Sequence, residues 1–187
     1  MKALRKITVF YLIATILLST GCATHFNKFS PTPQPASAEL GSYEKVFMKN
    51  VAINNKLSRS SANTKAMRKI DEVMHSNMQM VFPSYERLTL ESNTDNTAKR
   101  TLIIEPRIKE IKFIGNTARF WIGSIAGNST ILLQTKFIDG ETGDVIGSPE
   151  FYRSSEAYTG TWSIDDADNK MLEEIAKDVV TYASFNR

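Results

Sequence analysis

The chain has 187 residues, of which 42% are hydrophobic and 23% are charged. These fractions are typical of a globular protein, and they exclude a disordered, collagen-like or disulfide-dense chain. The formal net charge of +3 comes from Lys2, Arg5 and Lys6, because the rest of the chain has 20 basic and 20 acidic residues. A chain that is neutral beyond its first residues gives no electrostatic indication of nucleic-acid binding.

Residues 1–21 have the three-part pattern of an export signal peptide. A basic stretch, residues 1–6, precedes an apolar run of 12 residues from Ile7 to Leu18, and small residues follow it. A helix that crosses the hydrocarbon core needs about 20 apolar residues, so this run is short for a span. The uncharged stretch continues to His25, so an uncleaved membrane anchor is the alternative.

The only cysteine of the chain, Cys22, directly follows this signal. The segment before it resembles the bacterial lipobox in four residues, Leu18, Ser19, Thr20 and Gly21, although the commonest lipobox has Leu where Ser19 stands. The resemblance implies that the thiol receives a diacylglycerol, that cleavage precedes Cys22 and that the new amino group is acylated. Two or more acyl chains hold a protein stably on a membrane. A secretory signal with a free thiol is the alternative, and a lone cysteine excludes an intramolecular disulfide.

Ala23 follows the predicted lipidation site. In enterobacterial lipoproteins an Asp at this place favours retention at the inner membrane. The resemblance therefore implies the outer membrane, facing the periplasm, with the inner membrane as the alternative.

Residues 22–42 contain three alternating prolines, Pro31, Pro33 and Pro35, and no apolar periodicity. Such a segment favours an extended, polyproline-like path. About 20 residues of this kind reach at most ~60 to 70 Å. The sequence thus predicts three parts: a lipoprotein signal peptide over 1–21, a lipidated tether over 22–42 and one domain over 43–187.

The sequence of the first half of the domain predicts a strand, a helix and two more strands. Tyr43–Ile53 is rich in aromatic and branched residues, as strands are. Apolar residues at helical spacing follow, with Ser61 or Asn63 as the cap and Pro83 as the end; they are Met67, Ile70, Met74, Met78 and Val81. Further strands are predicted over Tyr85–Leu90 and Thr101–Phe113, separated by a turn over Asn93–Lys99. Pro106 predicts that the second of them is an edge strand or contains a bulge.

The second half predicts a hairpin and a closing helix. Ser129–Asp139 predicts a strand with two faces, one with Ile131, Leu133, Thr135 and Phe137 and the other with Leu132, Gln134, Lys136 and Ile138. A turn covers Asp139–Asp144, and Val145–Glu156 returns as the partner strand. The last helix begins near Asp165 after a cap at Ser163, and its buried stripe comprises Met171, Leu172, Ile175, Val179 and Tyr182 or Ala183. These elements indicate one α+β domain, with a mostly antiparallel sheet packed by two amphipathic helices.

Several segments of the domain resemble an uncharacterised family of bacterial envelope lipoproteins. They are Ala118-Arg119-Phe120 with Gly123 and Gly127, the strand and turn over Ile138–Ile146, and the terminal amphipathic helix. In build the family is similar to the curli-secretion lipoprotein and the amino-terminal domain of TolB. The resemblance implies a module that docks to partners and performs no chemistry, and it assigns no functional residue.

Catalytic and metal-binding constellations have little support in the sequence. Of the two histidines, His25 lies in the tether and His75 is expected on a helix surface, away from the methionine stripe. No His/Cys cluster indicates zinc, and the methionines are more typical of core than of copper ligands. No phosphate-binding glycine motif is present. We therefore expect no enzyme, no metal and no cofactor beyond the lipid on Cys22.

The most suggestive segment outside the predicted core is Phe120–Ala126, which includes Trp121 and Ile122. It is either a buried crossover between strands or an exposed patch for a partner, with Trp121 as the anchor.

Three functions are compatible with these features. The first is a non-catalytic, lipid-anchored module that docks to another envelope protein. The second is a carrier or receptor for a small apolar ligand held in a cavity between the helix Met67–Val81 and the sheet. The third, an enzyme, requires two convergent titratable groups with perturbed pKa values.

Overall fold

A mixed seven-stranded sheet forms one layer of the computed structural model, which describes residues 32–88, 100–113, 128–155 and 164–187. Along the chain the strands are β1 (Lys45–Met48), β2 (Ala52–Ile53), β3 (Tyr85–Arg87), β4 (Thr101–Lys112), β5 (Ser129–Asp139), β6 (Val145–Gly147) and β7 (Glu150–Ser155). Their spatial order is β3-β1-β4-β5-β6, with β2 also beside β4 and β7 beside β5. β1 pairs in parallel with β3 and β4, as β2 does with β4. The antiparallel pairings of β5 are longer, so the sheet is mostly antiparallel, as predicted.

Two helices, α1 (Ser61–Val81) and α2 (Ile164–Phe185), form the second layer. The alternation predicted for β5 is confirmed, because Ile131, Leu133 and Phe137 lie in the same buried cluster as the helices. The helix stripes are confirmed as core, and their fully buried members include Ile70, Met74, Met78, Ile175, Val179 and Ala183. A sheet with both helices on one face is the α+β class that the element order predicts.

The first helix begins earlier than its apolar spacing indicates. It starts at Ser61, and the side chain of Ser60 accepts a hydrogen bond from the N–H of Asn63 at 3.5 Å. The predicted caps, Ser61 and Asn63, are therefore wrong, because both lie inside the first turn. Serine is a preferred N-cap residue at either position, so composition alone does not choose between neighbouring serines.

Pro106 lies in a central strand, so the edge-strand prediction is wrong. It pairs with Thr135 of β5, whose N–H donates to Pro149 on the far side, so the ring nitrogen of Pro106 faces β1 and β2. The predicted strand Tyr43–Ile53 is interrupted there: β1 ends opposite Ile104, and β2 begins opposite Arg107. The interruption removes the need for the N–H that proline lacks. A bulge is present, but it lies between Ile108 and Glu110.

The chain before β1 packs onto the domain, which differs from the extended path predicted for the tether. Leu40 is completely buried, and its N–H donates to the carbonyl of Asn186 at 2.7 Å. Nearby, a side chain on Gly41 would come within 3 Å of Arg187. The part of the predicted tether over residues 34–42 is thus fixed against the end of α2.

The turn after β5 forms as predicted, through the side chain of Asp139. Its Oδ1 accepts hydrogen bonds from the N–H groups of Glu141 and Thr142, and Gly143 adopts a φ of 79° that favours glycine. The returning strand, predicted over Val145–Glu156, is divided into β6 and β7, because Pro149 lies between them. The predicted cap Ser163 and the predicted turn Asn93–Lys99 lie outside the described residues.

Candidate functional site

The predicted lipidation and partner residues lie outside the described residues. These are Cys22, the lipobox residues Leu18, Ser19, Thr20 and Gly21, the sorting residue Ala23, and the candidate patch Phe120, Trp121 and Ile122. Their roles therefore stay predictions from the sequence.

A polar cluster, Asp71, His75, Tyr85 and Arg87, joins α1 to one edge of the sheet. Oδ1 of Asp71 accepts the N–H of Val51 at 2.8 Å, which is a backbone donor at the interruption between β1 and β2. Oδ2 of Asp71 accepts a hydrogen bond from the guanidinium of Arg87. The ring Nδ1 of His75 pairs with the hydroxyl of Tyr85, and its Nε2 lies 3.4 Å from Asp71 Oδ1. We call these four residues the Asp71 cluster.

The expectation that His75 lies on the helix surface is wrong. Its exposed fraction is 8%, the same as that of Asp71 one turn earlier. Neither Asp71 nor His75 belongs to the apolar stripe of α1, so hydrophobic periodicity predicts that both lie on the solvent-exposed face of the helix. Burial follows instead from strand β3, whose Tyr85 covers the imidazole. The signal that identifies the pair is its spacing, because residues four apart on a helix share a face.

The pKa shifts of Asp71 and Tyr85 hold these two groups in their ordinary forms. Burial raises the pKa of Asp71, but the imidazole of His75, the N–H of Val51 and the charge of Arg87 together outweigh it, so the net shift is downward. Burial raises the pKa of Tyr85 well above its usual value. Near neutral pH Asp71 is therefore ionised and Tyr85 is protonated.

This arrangement meets the geometric requirement set for an enzyme, since Asp71 and Tyr85 converge on His75. A shallow cavity of about 340 Å³ lies beside it, lined by His75, Ser76, Gln79, Tyr85 and Arg87. A general acid or base works best with a pKa near the working pH, whereas both shifts here move away from neutrality. The hydrogen bonds of Asp71 give the cluster a structural role, because they satisfy the N–H of Val51 at the strand interruption and fasten α1 to β3 through Arg87.

A second site, which we call the anchor-side groove, lies at the opposite edge of the sheet. This cavity of about 660 Å³ is formed by the chain before β1, strand β7 and the end of α2; its apolar walls include Pro33, Pro35, Phe151, Tyr152, Tyr182 and Phe185. The hydroxyl of Tyr182 donates to the carbonyl of Gln34 at 2.9 Å, and the N–H of Ala36 donates to Asn186 Oδ1 at 2.9 Å. These bonds fix the wall that the amino-terminal segment contributes.

An ion pair between Arg153 and Asp178 lines the anchor-side groove. Arg153 of β7 donates from Nε and Nη2 to the two carboxylate oxygens of Asp178 on α2, at 2.7 and 2.6 Å. The hydrogen bonds that Arg153 donates to Asp178 raise the pKa of Arg153, so the guanidinium is permanently charged. A bidentate pair of this kind fixes the orientation of both side chains.

Aromatic residues are prominent on the rim of the anchor-side groove. Phe185 is 85% exposed, which is unusual for a phenylalanine, and Tyr152 is 38% exposed. Tyr182 packs beneath them, with ring centroids 5.2 Å from Phe137 and 6.0 Å from Phe151. Exposed aromatic side chains beside a concave surface are typical of protein interaction sites.

The cavity predicted for an apolar ligand between α1 and the sheet has no support at that position. Ile70, Met74 and Met78 are completely buried in the same cluster as Leu102 and Ile104 of β4. Side chains packed in this way leave the methionine stripe as core.

Two absences hold for the described part of the chain. None of its helices is long and apolar enough to cross a membrane. No three His, Cys, Asp or Glu side chains of those ranges come together in a way that suits a metal ion.

These features define a two-layer α+β domain with a polar cluster and an apolar groove, and comparison with solved structures finds similar proteins. A PelC variant from Paraburkholderia phytofirmans, a dodecamer, has a TM-score of 0.53 at 13% identity, over 81% of this chain and 95% of that chain. A Xanthomonas campestris protein described by the family model DUF330 has a TM-score of 0.47 at 12% identity, over 84% and 92%. A minor lipoprotein from Acinetobacter baumannii has a TM-score of 0.37 at 12% identity, over 76% and 94%. No family model and no curated protein matches the sequence.

Proposed function

We propose that the protein is a non-catalytic envelope lipoprotein, anchored through Cys22 to the periplasmic face of the outer membrane, which docks another envelope component in the anchor-side groove. The observation that carries this proposal is the course of the chain between the predicted anchor and the domain. Residues 34–42 pack beside the groove, and Thr32 and Pro33 line it. The docking surface therefore lies where the chain departs toward Cys22.

The length of the remaining tether sets the distance of the groove from the membrane. Thr32 lies ten positions after Cys22, and an extended chain advances about 3.3 to 3.6 Å per residue, so the span is at most ~35 Å. This is about half of the reach predicted when all of 22–42 is free. A partner that binds in the groove is thus held within ~35 Å of the lipid surface.

The anchor itself is tested by replacing Cys22. The parent protein, extracted with detergent, should have the mass of residues 22–187 plus a diacylglycerol and an acyl chain. The Cys22→Ala variant should carry no lipid and should leave the membrane fraction. A parent mass equal to the bare polypeptide would overturn the proposal.

Ala23→Asp should move the lipidated protein toward the inner membrane, as the resemblance to enterobacterial lipoproteins implies.

The groove is tested by crosslinking in intact cells. A photoreactive residue in place of Phe185 should yield a defined adduct, because that side chain stands on the rim. Met80 is the matched control, since it is 73% exposed but lies on α1, away from the groove. Equal adducts from both positions would contradict a specific groove. The Paraburkholderia neighbour is a dodecamer, so the adduct mass should also distinguish a second copy of the chain from another protein.

The absence of catalysis is supported by the directions of the pKa shifts in the Asp71 cluster, which keep Asp71 ionised and Tyr85 protonated. The likeness in build to the amino-terminal domain of TolB stays a prediction from the sequence. It is compatible with a docking role, and the crosslinking experiment does not depend on it.

A further inference from the structure

The amino-terminal segment runs along the outer side of β6 and β7 into the anchor-side groove. The N–H of Ser37 donates to the carbonyl of Ile146 in β6 at 2.7 Å. Farther along, Thr32 and Pro33 line the groove together with residues 150–153 of β7. Followed from Ser37 back to Thr32, the chain therefore passes from β6 to β7. The residues that precede Thr32 start at the groove itself.

The segment between the predicted anchor and Thr32 is short and contains two aromatic residues. Phe26 and Phe29 are the large apolar side chains of residues 22–31. Phe29 lies three positions before Thr32, so at most ~11 Å of chain separates it from the groove wall. Pro31 favours an extended conformation of the residue before it, and a polyproline-like path repeats every three residues. On such a path Phe26 and Phe29 share one face.

The charge of this segment is opposite to that of the groove. The described lining contains the carboxylates of Glu150 and Asp178 and the guanidinium of Arg153, which gives a net charge of −1. Arg153 pairs with Asp178, whereas Glu150 is exposed and belongs to none of the ion pairs among the described residues. Lys28 carries the single formal charge of residues 22–31. The segment thus brings one positive charge to a groove with one unpaired carboxylate.

We infer that residues 26–31 occupy the anchor-side groove while no partner is bound, with Phe29 among the exposed aromatic side chains of its rim, and that a docking partner displaces them. The inference rests on the proposed function, since it assigns the same groove an internal occupant. Burial of the Phe29 ring removes apolar surface from water, and Lys28 lies within reach of Glu150. Because the segment is attached to the groove wall, its effective concentration there is high.

Occupancy of the groove by residues 26–31 shortens the free tether. Phe26 lies four positions after Cys22, so the free span falls from at most ~35 Å to at most ~14 Å. A partner that displaces the segment therefore also releases the domain from the lipid surface. Docking and distance from the membrane are coupled through this one segment.

The test measures the rate at which a soluble maleimide alkylates an engineered thiol in the purified, full-length lipidated protein in detergent micelles. Thr181→Cys places the thiol in the groove lining, and Ser184→Cys places it on the same helix outside that lining; both parent residues are exposed. Addition of Phe29→Ser should accelerate alkylation of Thr181→Cys about five-fold, because the groove is no longer covered. Lys28→Gln should accelerate it about two-fold. Asn27→Ser is the control within the segment and should leave the rate unchanged.

Three results would overturn the inference. The first is a rate at Thr181→Cys that does not change with Phe29→Ser. The second is an equal acceleration at Ser184→Cys, which would show a general loosening of the helix. The third is protection of Thr181→Cys that disappears on dilution, which would assign the groove to the tether of a second copy.

The alkylation experiment is independent of the proposed partner and of the anchor. The purified protein contains no partner, and peptide masses locate the maleimide, so alkylation of Cys22 itself would reveal a failed anchor. In cells, Phe29→Ser should increase the partner adduct of a photoreactive residue at Tyr152 several-fold, and a decrease would contradict displacement of the segment by the partner. Protection in the purified protein without any adduct in cells would support the internal occupant and contradict the proposed docking.

Discussion

An Arg–Asp ion pair joins a helix to each edge of the sheet, but the two ion pairs lie in different surroundings. At one edge Arg87 of β3 pairs with Asp71 of α1, and at the other Arg153 of β7 pairs with Asp178 of α2. Asp71 is 8% exposed and also accepts a backbone N–H, whereas Asp178 is half-buried and borders an open groove. The same pair thus supports the fold at one edge and shapes a surface at the other.

The largest effect in this comparison is expected for Leu40, which is completely buried and bonded to Asn186 at the end of α2. Leu40→Ala should lower the free energy of unfolding by about 2 to 5 kcal/mol, because a fully buried leucine leaves a cavity when it is truncated. Urea denaturation measures this loss of unfolding free energy. Pro33→Ala, at a half-buried residue of the same segment, is the control and should have a small effect. A loss below about 1 kcal/mol for Leu40→Ala would show that residues 34–42 are not part of the fold.

Truncation of the two aspartates should separate the two edges. Asp71→Ala should cost about 2 to 3 kcal/mol, because it leaves the N–H of Val51 without its acceptor and Arg87 without its counter-charge. Asp178→Ala should cost about 1 kcal/mol or less, since its partner Arg153 is partly solvated and also lies 3.8 Å from Glu174. Urea denaturation of both variants measures the two losses of unfolding free energy. Losses of similar size would show that the two ion pairs contribute equally to stability.

The contribution of Asp71 to the free energy of unfolding should depend on pH. The folded pKa of Asp71 is lowered, so its contribution is present above the unfolded pKa of about 4 and disappears as the pH falls through the folded value. The difference in unfolding free energy between the parent and Asp71→Asn should therefore be constant above about pH 5 and shrink in more acidic solution. A difference that grows on acidification would contradict the lowered pKa.

The smallest effect on folding is expected on the groove rim. Phe185→Ser should change the free energy of unfolding by less than about 0.5 kcal/mol, since the side chain is 85% exposed. When the photoreactive residue is placed at Tyr152, the other exposed aromatic residue of the rim, Phe185→Ser should nevertheless abolish the adduct. Val145→Ser, at another exposed apolar residue, is the control and should leave the adduct unchanged. An unaffected adduct in Phe185→Ser would exclude this rim from docking.

Much of the fold follows from periodicity. The alternation of β5 and the three- and four-residue spacing of both helices correspond directly to buried faces, because one buried face requires one apolar period. The turn at Asp139 follows from local chemistry, since its side chain bonds to the backbone two and three residues on. Such features need no contact with a distant segment of the chain, so the sequence alone predicts them.

Other features depend on residues that are remote in the chain. Pro106 predicts that a backbone donor is missing, but only the pairing shows that the interruption between β1 and β2 lies opposite to it. Asp71 and His75 belong to no apolar stripe, and they are buried because Tyr85 and Arg87 arrive from β3. The groove likewise requires residues 32–35 to meet the end of α2, about 150 positions later.

The sequence by itself determined the order of the elements, the α+β class, the faces of the helices and the candidate anchor at Cys22, because each depends on local spacing and composition. The tertiary structure alone decided how far the tether is free, where the polar residues of α1 lie and which residues line the groove. The physical reason is that contacts between segments far apart in the chain depend on strand register and packing, and neither leaves a periodic pattern in either segment.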